Sequence, residues 1–179
     1  MNIIAGLGNP GREYKNSRHN VGFMVLDELS RRTGIKTKGI RYRGRTGSGK
    51  IQAKKVFLLK PRTYMNLSGL SISACLKGLK ASPSDLIVVH DDLDLSPGRI
   101  KVKKKGGAGG HKGIMSVIEE LGTDEFARVR GGIGKPLPDE DPIDYVLMPF
   151  SRDEILEVKQ AVEKAAEAAL EIISRGVDA

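Results

Sequence analysis

Apolar residues recur along this chain in two periods, and the switching between them sets out the elements. The run Asn2 to Leu7 is apolar after its first residue and reads as a buried strand. After a glycine turn, Val21, Met24, Val25 and Leu29 fall on one face of a helix that stops at Gly34. Residues 40 to 60 alternate in the manner of β-structure, with Gly44, Gly47 and Gly49 as turn signals, and predict a hairpin. Ile72, Cys75, Leu76 and Leu79 have the spacing of a second helix, and Leu86 to Val89 is a short apolar strand that ends at His90, Asp91 and Asp92. Alternation returns over Arg99 to Lys103, a third helix runs through Ile114, Val117, Ile118 and Leu121 to Gly122, and Ala127 to Ile133 reads as a strand. In the last helix, Ser151 and Glu154 make a capping box and Ile155, Val158, Val162, Ala165 and Ala169 the apolar stripe, closed by Arg175 and Gly176.

Strands alternating with helices predict an α/β fold: one domain over residues 1–179, with a twisted mixed parallel and antiparallel sheet and helices on both faces. Ligand sites in such sheets gather beyond the carboxyl ends of the strands. Asn9 and the His90-Asp91 pair both fall there, which directs them toward one rim.

Composition narrows the class. A chain of 179 residues suits one core, and its hydrophobic share of 39% and charged share of 29% are those of a soluble globular protein. No leader-like segment opens the sequence and no apolar run is long enough to span a bilayer, so a cytoplasmic protein without membrane contact is expected. The single cysteine, Cys75, excludes an internal disulfide framework and a cysteine-based zinc cluster. A net charge of +8 favours a polyanionic partner, nucleic acid first. Aromatic residues make up only 4% and tryptophan is absent, so contact with the phosphate backbone is favoured over base stacking.

Several motifs offer chemistry, and most have a plainer reading. The segment GLGNPG matches the dinucleotide fingerprint G-x-G-x-x-G, but Pro10 and the polar stretch Arg12 to Ser17 stand where a helix should open, and the expected acidic residue lies within a helical pattern. Gly44 to Lys50 resembles a phosphate loop but has Ile51 in place of the magnesium-holding hydroxyl, and reads as a turn. No G-x-S-x-G elbow supplies a nucleophile, which favours direct attack by water. His90 to Asp94 fits a hard-metal site, a polar turn, or a carboxylate that fixes the tautomer of His19 and raises its basicity. Gly106 to His111, preceded by lysines, lets a nucleic-acid backbone approach closely or is a surface turn. Asn66 is either a helix cap or an amide that orients a carbonyl or water.

Six ordered blocks, GLGNPG, SRHNVG preceded by Tyr14, KPRTYMNLSG, HDDLDL, GGAGGHKG and FARVRGGIGKP, resemble the signatures of the bacterial peptidyl-tRNA hydrolase family. That family cleaves the ester joining a stalled peptide to its tRNA. The resemblance implies that His19 is the general base and that Asp91 holds it basic. It implies further that Asn9 and Asn66 contact the peptide, with Asn9 also counted among the catalytic residues. Tyr14, Tyr64 and Met65 are then expected to line the groove for the terminal adenosine and peptide, with His111 and Lys112 beside the substrate. Lys103 and Arg130 match the basic pair that grips the acceptor-stem 5′ phosphate. The chain departs from the pattern at Lys112, where the family usually has Asn; a lysine donates hydrogen bonds but accepts none. Ser17 stands for a common Thr, Tyr64 for a common Phe and Gly131 for a usual β-branched residue, and the chain ends early. The expected protein is a monomeric esterase that needs no metal or cofactor, acts on the acceptor stem and 3′ end of peptidyl-tRNA, and has no obligate protein partner. The rival readings are a metal-dependent nuclease using His90, Asp91, Asp92 and Asp94, and a non-catalytic RNA-binding module.

Overall fold

The computed structural model describes residues 1–178. β1 (Asn2–Gly6) is the middle strand of a seven-stranded sheet. α1 (Val21–Thr33) follows, then β2 (Gly39–Arg41), β3 (Gly44–Ile51) and β4 (Lys54–Pro61). Next come α2 (Ser68–Leu79), β5 (Leu86–Asp92), β6 (Ile100–Lys103), α3 (Lys112–Leu121) and β7 (Ala127–Gly132), and the chain closes with α4 (Pro142–Leu147) and α5 (Arg152–Arg175). The strand order is β2-β3-β4-β1-β5-β7-β6. The four central strands run parallel, while β2, β3 and β6 pair antiparallel at the two edges. This is the mixed sheet expected from the sequence.

Alternation within the central strands divides the core. Ile4, Leu58, Ile87, Val89 and Val129 pack against α1 and α5, through Val25, Leu26, Leu29, Ala165, Ala169 and Ile173. Ile3, Ala5, Leu59, Leu86 and Val88 pack against α2 and α3, through Ile72, Cys75, Leu76, Ile114 and Val117. Both faces are covered, so the central strands read as continuous apolar runs and not as alternating ones. Burial pushes the Cys75 thiol up to about 12, which leaves it inert.

Two local expectations are corrected. Gly44, Gly47 and Gly49 do not turn the chain; they lie within β3, and the supposed phosphate-loop turn is a strand. A Cβ on Gly47 would fall 2.2 Å from the Lys36 carbonyl oxygen, so the glycines let the preceding loop lie on the strand. The turns fall at Tyr42-Arg43 and Gln52-Ala53, where both residues of each pair have positive φ, the backbone twist of a two-residue hairpin. Ile155 points to solvent, and Ala161 and Ala166 join the buried stripe of α5 in its place. The short helix α4 carries no apolar period of its own: the Asp141 side chain caps it and Pro142 opens it.

The approach of α1 to the sheet governs where His19 lies. A Cβ on Gly22 would meet the Leu7 amide nitrogen at 2.3 Å and the Val89 carbonyl oxygen at 2.5 Å, and one on Gly6 would meet the Gly22 carbonyl oxygen at 2.2 Å. Backbone therefore packs on backbone where β1 and β5 end. The glycines of GLGNPG serve this contact and the turn beyond it, and not a pyrophosphate.

Candidate active site

Beyond the carboxyl ends of β1, β5 and β7 lies a cleft of about 750 Å³. Asn9, Tyr14, His19, Tyr64, Met65, Asn66, Asp91, Lys103, His111, Lys112 and Arg130 all line it. The structure thus gathers every candidate site residue of the sequence, from widely separated segments, around one opening.

Asp91 is at its centre. It occupies the penultimate position of β5, is 2% exposed, and its two carboxylate oxygens meet two different histidines. Oδ2 lies 2.8 Å from His19 Nδ1, and Oδ1 lies 2.8 Å from His111 Nε2. An ionised carboxylate only accepts, so both ring nitrogens carry hydrogen. The assignment for His111 has independent support: its Nδ1 caps α3 by accepting from the Ile114 amide at 3.2 Å, which leaves its proton on Nε2. His19 consequently presents Nε2 with its lone pair available. Burial works to raise the Asp91 pKa, but the two histidines, through charge and hydrogen bonds, outweigh it and hold the carboxyl well below its ordinary range.

His90 completes a stack of all three histidines of the chain. Its ring lies edge-on to His111 at 4.8 Å, and His111 lies 5.0 Å from His19. Burial, with the neighbouring His111, brings His90 down to about 3, so it is neutral at physiological pH. Its Nδ1 donates to the backbone carbonyl of Asp91 at 2.7 Å, which ties the strand end that carries the carboxylate.

The two sides of the cleft are braced differently. Asn9 is buried, and its Oδ1 accepts from the Met65 amide at 2.7 Å. With Oδ1 committed, Nδ2 is the half of the amide left to the cleft. Asn20 clamps the Asn9 backbone at both ends, accepting from its N–H at 2.8 Å and donating to its carbonyl at 3.0 Å. The Met65 bond also holds Tyr64, whose φ of 48° is unusual for a residue with a side chain and whose ring is exposed on the wall. Asn66 is exposed and does not cap α2: Leu67 occupies that position without a side-chain bond.

His19 sits in a short 3-10 turn, Arg18–Asn20, directly before α1. The adjoining Arg18 is buried and fastens this turn to the C-terminal part of the chain. It donates to Glu154 Oε1 at 2.9 Å and to the Tyr145 carbonyl at 3.2 Å, and its guanidinium lies 4.0 Å from the Tyr145 ring centre. Sequence reasoning missed Arg18, Asn20, Glu154 and the cleft-lining residues of α4, Ile143, Val146 and Leu147. Only the string RHN beside the histidine hinted at the first two.

On the remaining side the surface is basic. Lys103 and Arg130 lie on adjacent strands but are not directly opposed: Lys103 faces Arg128, and Arg130 faces Lys101. Arg130 forms an ion pair with Asp92, while Lys103 and Lys112 are exposed. The HDDLDL carboxylates therefore diverge. Asp91 binds two histidines, Asp92 an arginine, and Asp94 lies near Lys135 at 3.7 Å, so the cluster on which the nuclease reading depended is not assembled. Gly131, beside Asp91 in register, leaves room for Val21: a Cβ there would lie 2.8 Å from Val21 Cγ1.

Comparison with known proteins agrees with the six-block pattern. The family model described as peptidyl-tRNA hydrolase matches residues 3–179. A peptidyl-tRNA hydrolase from Brevibacillus brevis is 48% identical over 94% of this chain and 89% of its own. One from Caldanaerobacter subterraneus is 47% identical over 99% and 96%. The crystal structure of peptidyl-tRNA hydrolase from Acinetobacter baumannii superposes with a TM-score of 0.92 at 34% identity, covering 99% of this chain and 93% of the other. A cleft rim carrying these blocks in this order, on this sheet, places the chain in the peptidyl-tRNA hydrolase family.

Proposed function

We propose that this protein hydrolyses the ester between peptide and tRNA in peptidyl-tRNA, with His19 as general base. The observation that carries the reading is the Asp91 carboxylate accepting from His19 Nδ1 at the floor of the cleft, which leaves Nε2 to take a proton. Nε2 removes a proton from water as its oxygen attacks the ester carbonyl carbon. The imidazolium that forms is stabilised by Asp91. Collapse of the tetrahedral intermediate breaks the bond to the ribose oxygen, and His19 returns the proton to that leaving group. A positioned base of this kind contributes about 10²- to 10⁴-fold in rate.

Asn9 Nδ2 and the Asn66 amide donate to peptide carbonyls and so favour a blocked over a free aminoacyl group. Tyr14, Tyr64 and Met65 flank the terminal adenosine and the peptide, with His111 beside them. Lys103 and Arg130 hold the 5′ phosphate of the acceptor stem, a contact that positions the RNA without reading its sequence. Lys112 adds a cation to the same rim. The protein acts as a monomer in the cytoplasm, and no described helix is long and apolar enough to cross a membrane.

The test is release of peptide from N-acetyl-aminoacyl-tRNA, run beside free aminoacyl-tRNA. The blocked substrate is expected to be cleaved and the free one spared, and His19→Ala to lower turnover about 10²- to 10⁴-fold while still binding tRNA. Near-normal turnover in that variant would remove His19 from the mechanism, and salt-sensitive tRNA binding without release would favour a non-catalytic module.

A further inference from the structure

The same three side chains that arrange the base are a set of metal donors. His19 Nδ1, His111 Nε2 and the Asp91 carboxylate present their ligand atoms within 4.8 Å of one another. Zinc binds imidazole nitrogen at about 2.0–2.1 Å, which sets tetrahedral ligand atoms about 3.4 Å apart, so the widest pair has to close by up to about 1.4 Å, a movement that side-chain rotation supplies. The cleft leaves the remaining coordination positions to water. Two imidazoles and one carboxylate suit a borderline ion such as zinc and suit magnesium poorly.

We propose that one zinc ion binds at His19, Asp91 and His111, displacing the two N–H donors, and that its binding switches hydrolysis off. The inhibition follows from the tautomer of His19. With Asp91 as partner, Nδ1 carries the proton and Nε2 is a base. With zinc on Nδ1, the neutral ring carries its proton on Nε2 instead and becomes a donor, so the attacking water loses its proton acceptor. The proton moves within the ring and no other group changes oxidation state or charge there. At His111 the proton on Nε2 moves to Nδ1, and the cost is the long cap bond from the Ile114 amide. Zinc binding stands apart from the enzymatic reading, and the inhibition rests on it.

Few other soft donors compete. The chain has three histidines and one cysteine. Cys75 is buried in the core, and His90 is buried with Nδ1 committed to the Asp91 carbonyl. Calorimetric titration of tag-free, EDTA-treated protein with zinc chloride at neutral pH is therefore a clean test. One equivalent is expected to bind, His111→Ala and His19→Ala each to weaken it about tenfold or more, and cobalt(II) chloride to give a visible absorption band that zinc removes. The same zinc concentration is expected to stop peptide release, and EDTA to restore it. His19→Ala serves as the second variant because its ring caps no helix. Absence of saturable binding, or binding unchanged in both variants, would overturn the site. Peptide release that zinc accelerates or leaves unchanged at saturation would overturn the inhibition. Failure of the EDTA-treated enzyme to release peptide at all would overturn the hydrolase reading, while the titration would still decide whether zinc binds.

Discussion

The floor of the cleft and its basic rim differ in how they are held. Asp91 is buried, and its contacts to His19 and His111 are short, directional and removed from solvent. Lys103 and Lys112 are exposed, and their charges are screened within roughly 8–10 Å at ordinary salt. Proton transfer needs one atom in one place, whereas attraction of a phosphate backbone needs only charge of the right sign nearby. Arg130 stands between the two regimes, because Asp92 fixes its direction while its guanidinium still borders the cleft.

The largest effect should come from removing the proposed base. His19→Ala is expected to lower kcat about 10²- to 10⁴-fold with little change in KM, as measured by release of N-acetylated amino acid from tRNA. Asp91→Asn comes next: an amide cannot accept from both imidazoles without turning its NH₂ toward one of them, so kcat should fall about 10- to 100-fold. Retention of full activity in that variant would erase the distinction between floor and rim. Gly22→Ala tests whether the floor depends on backbone packing. Its Cβ would strike backbone atoms at 2.3 and 2.5 Å, and a loss of about 1–3 kcal/mol in denaturant unfolding is expected, with kcat falling and the salt dependence of KM unchanged.

Acid exposes the floor in another way. His90 titrates near 3 when folded and near 6.5 when unfolded, so between those values the unfolded chain holds a proton that the folded one lacks. Stability is lost as pH falls through that window, by up to about 1.4 kcal/mol per unit. Asp91 behaves differently: its depressed pKa contributes stability above the unfolded carboxylate value, lost only at lower pH. In His90→Phe the fall in Tm between about pH 6.5 and 4.5 should flatten. The smallest effects belong to the rim. Lys103→Ala should raise KM a few-fold and reduce the slope of log KM against log salt by about one, with kcat retained. Arg130→Ala should raise it further, since it leaves Asp92 as an unpaired negative charge at the proposed RNA rim.

The central architecture is legible in the sequence because it rests on local periodicity: the apolar runs of β1 and β5, the stripe of α3 and the Ser151–Glu154 box of α5 each carry their own signal. The pairing of His19 with Asp91 is legible in part: Asp91 follows from a strand end, but its link to His19 is one of three readings of that run until the family resemblance selects it. What escapes is set by contacts distant in the chain. Positive φ at Tyr42-Arg43 and Gln52-Ala53 is imposed by the strands on either side, and no glycine or asparagine marks it. That His111 shares the Asp91 carboxylate depends on where α3 begins, and its dual use as cap and donor appears only in three dimensions. The same holds for Arg18, whose partners lie 127 and 136 residues further on.

That last contact fixes an order of events. A ribosome delivers the N-terminus first, so residue 19 emerges long before residue 154 has been made. Until Glu154 and the Tyr145 carbonyl arrive, the turn carrying His19 lacks its anchor to the rest of the fold. During its own synthesis the nascent chain is itself a peptide esterified to tRNA, and the need for Glu154 delays the anchored turn until at least 154 residues have been joined.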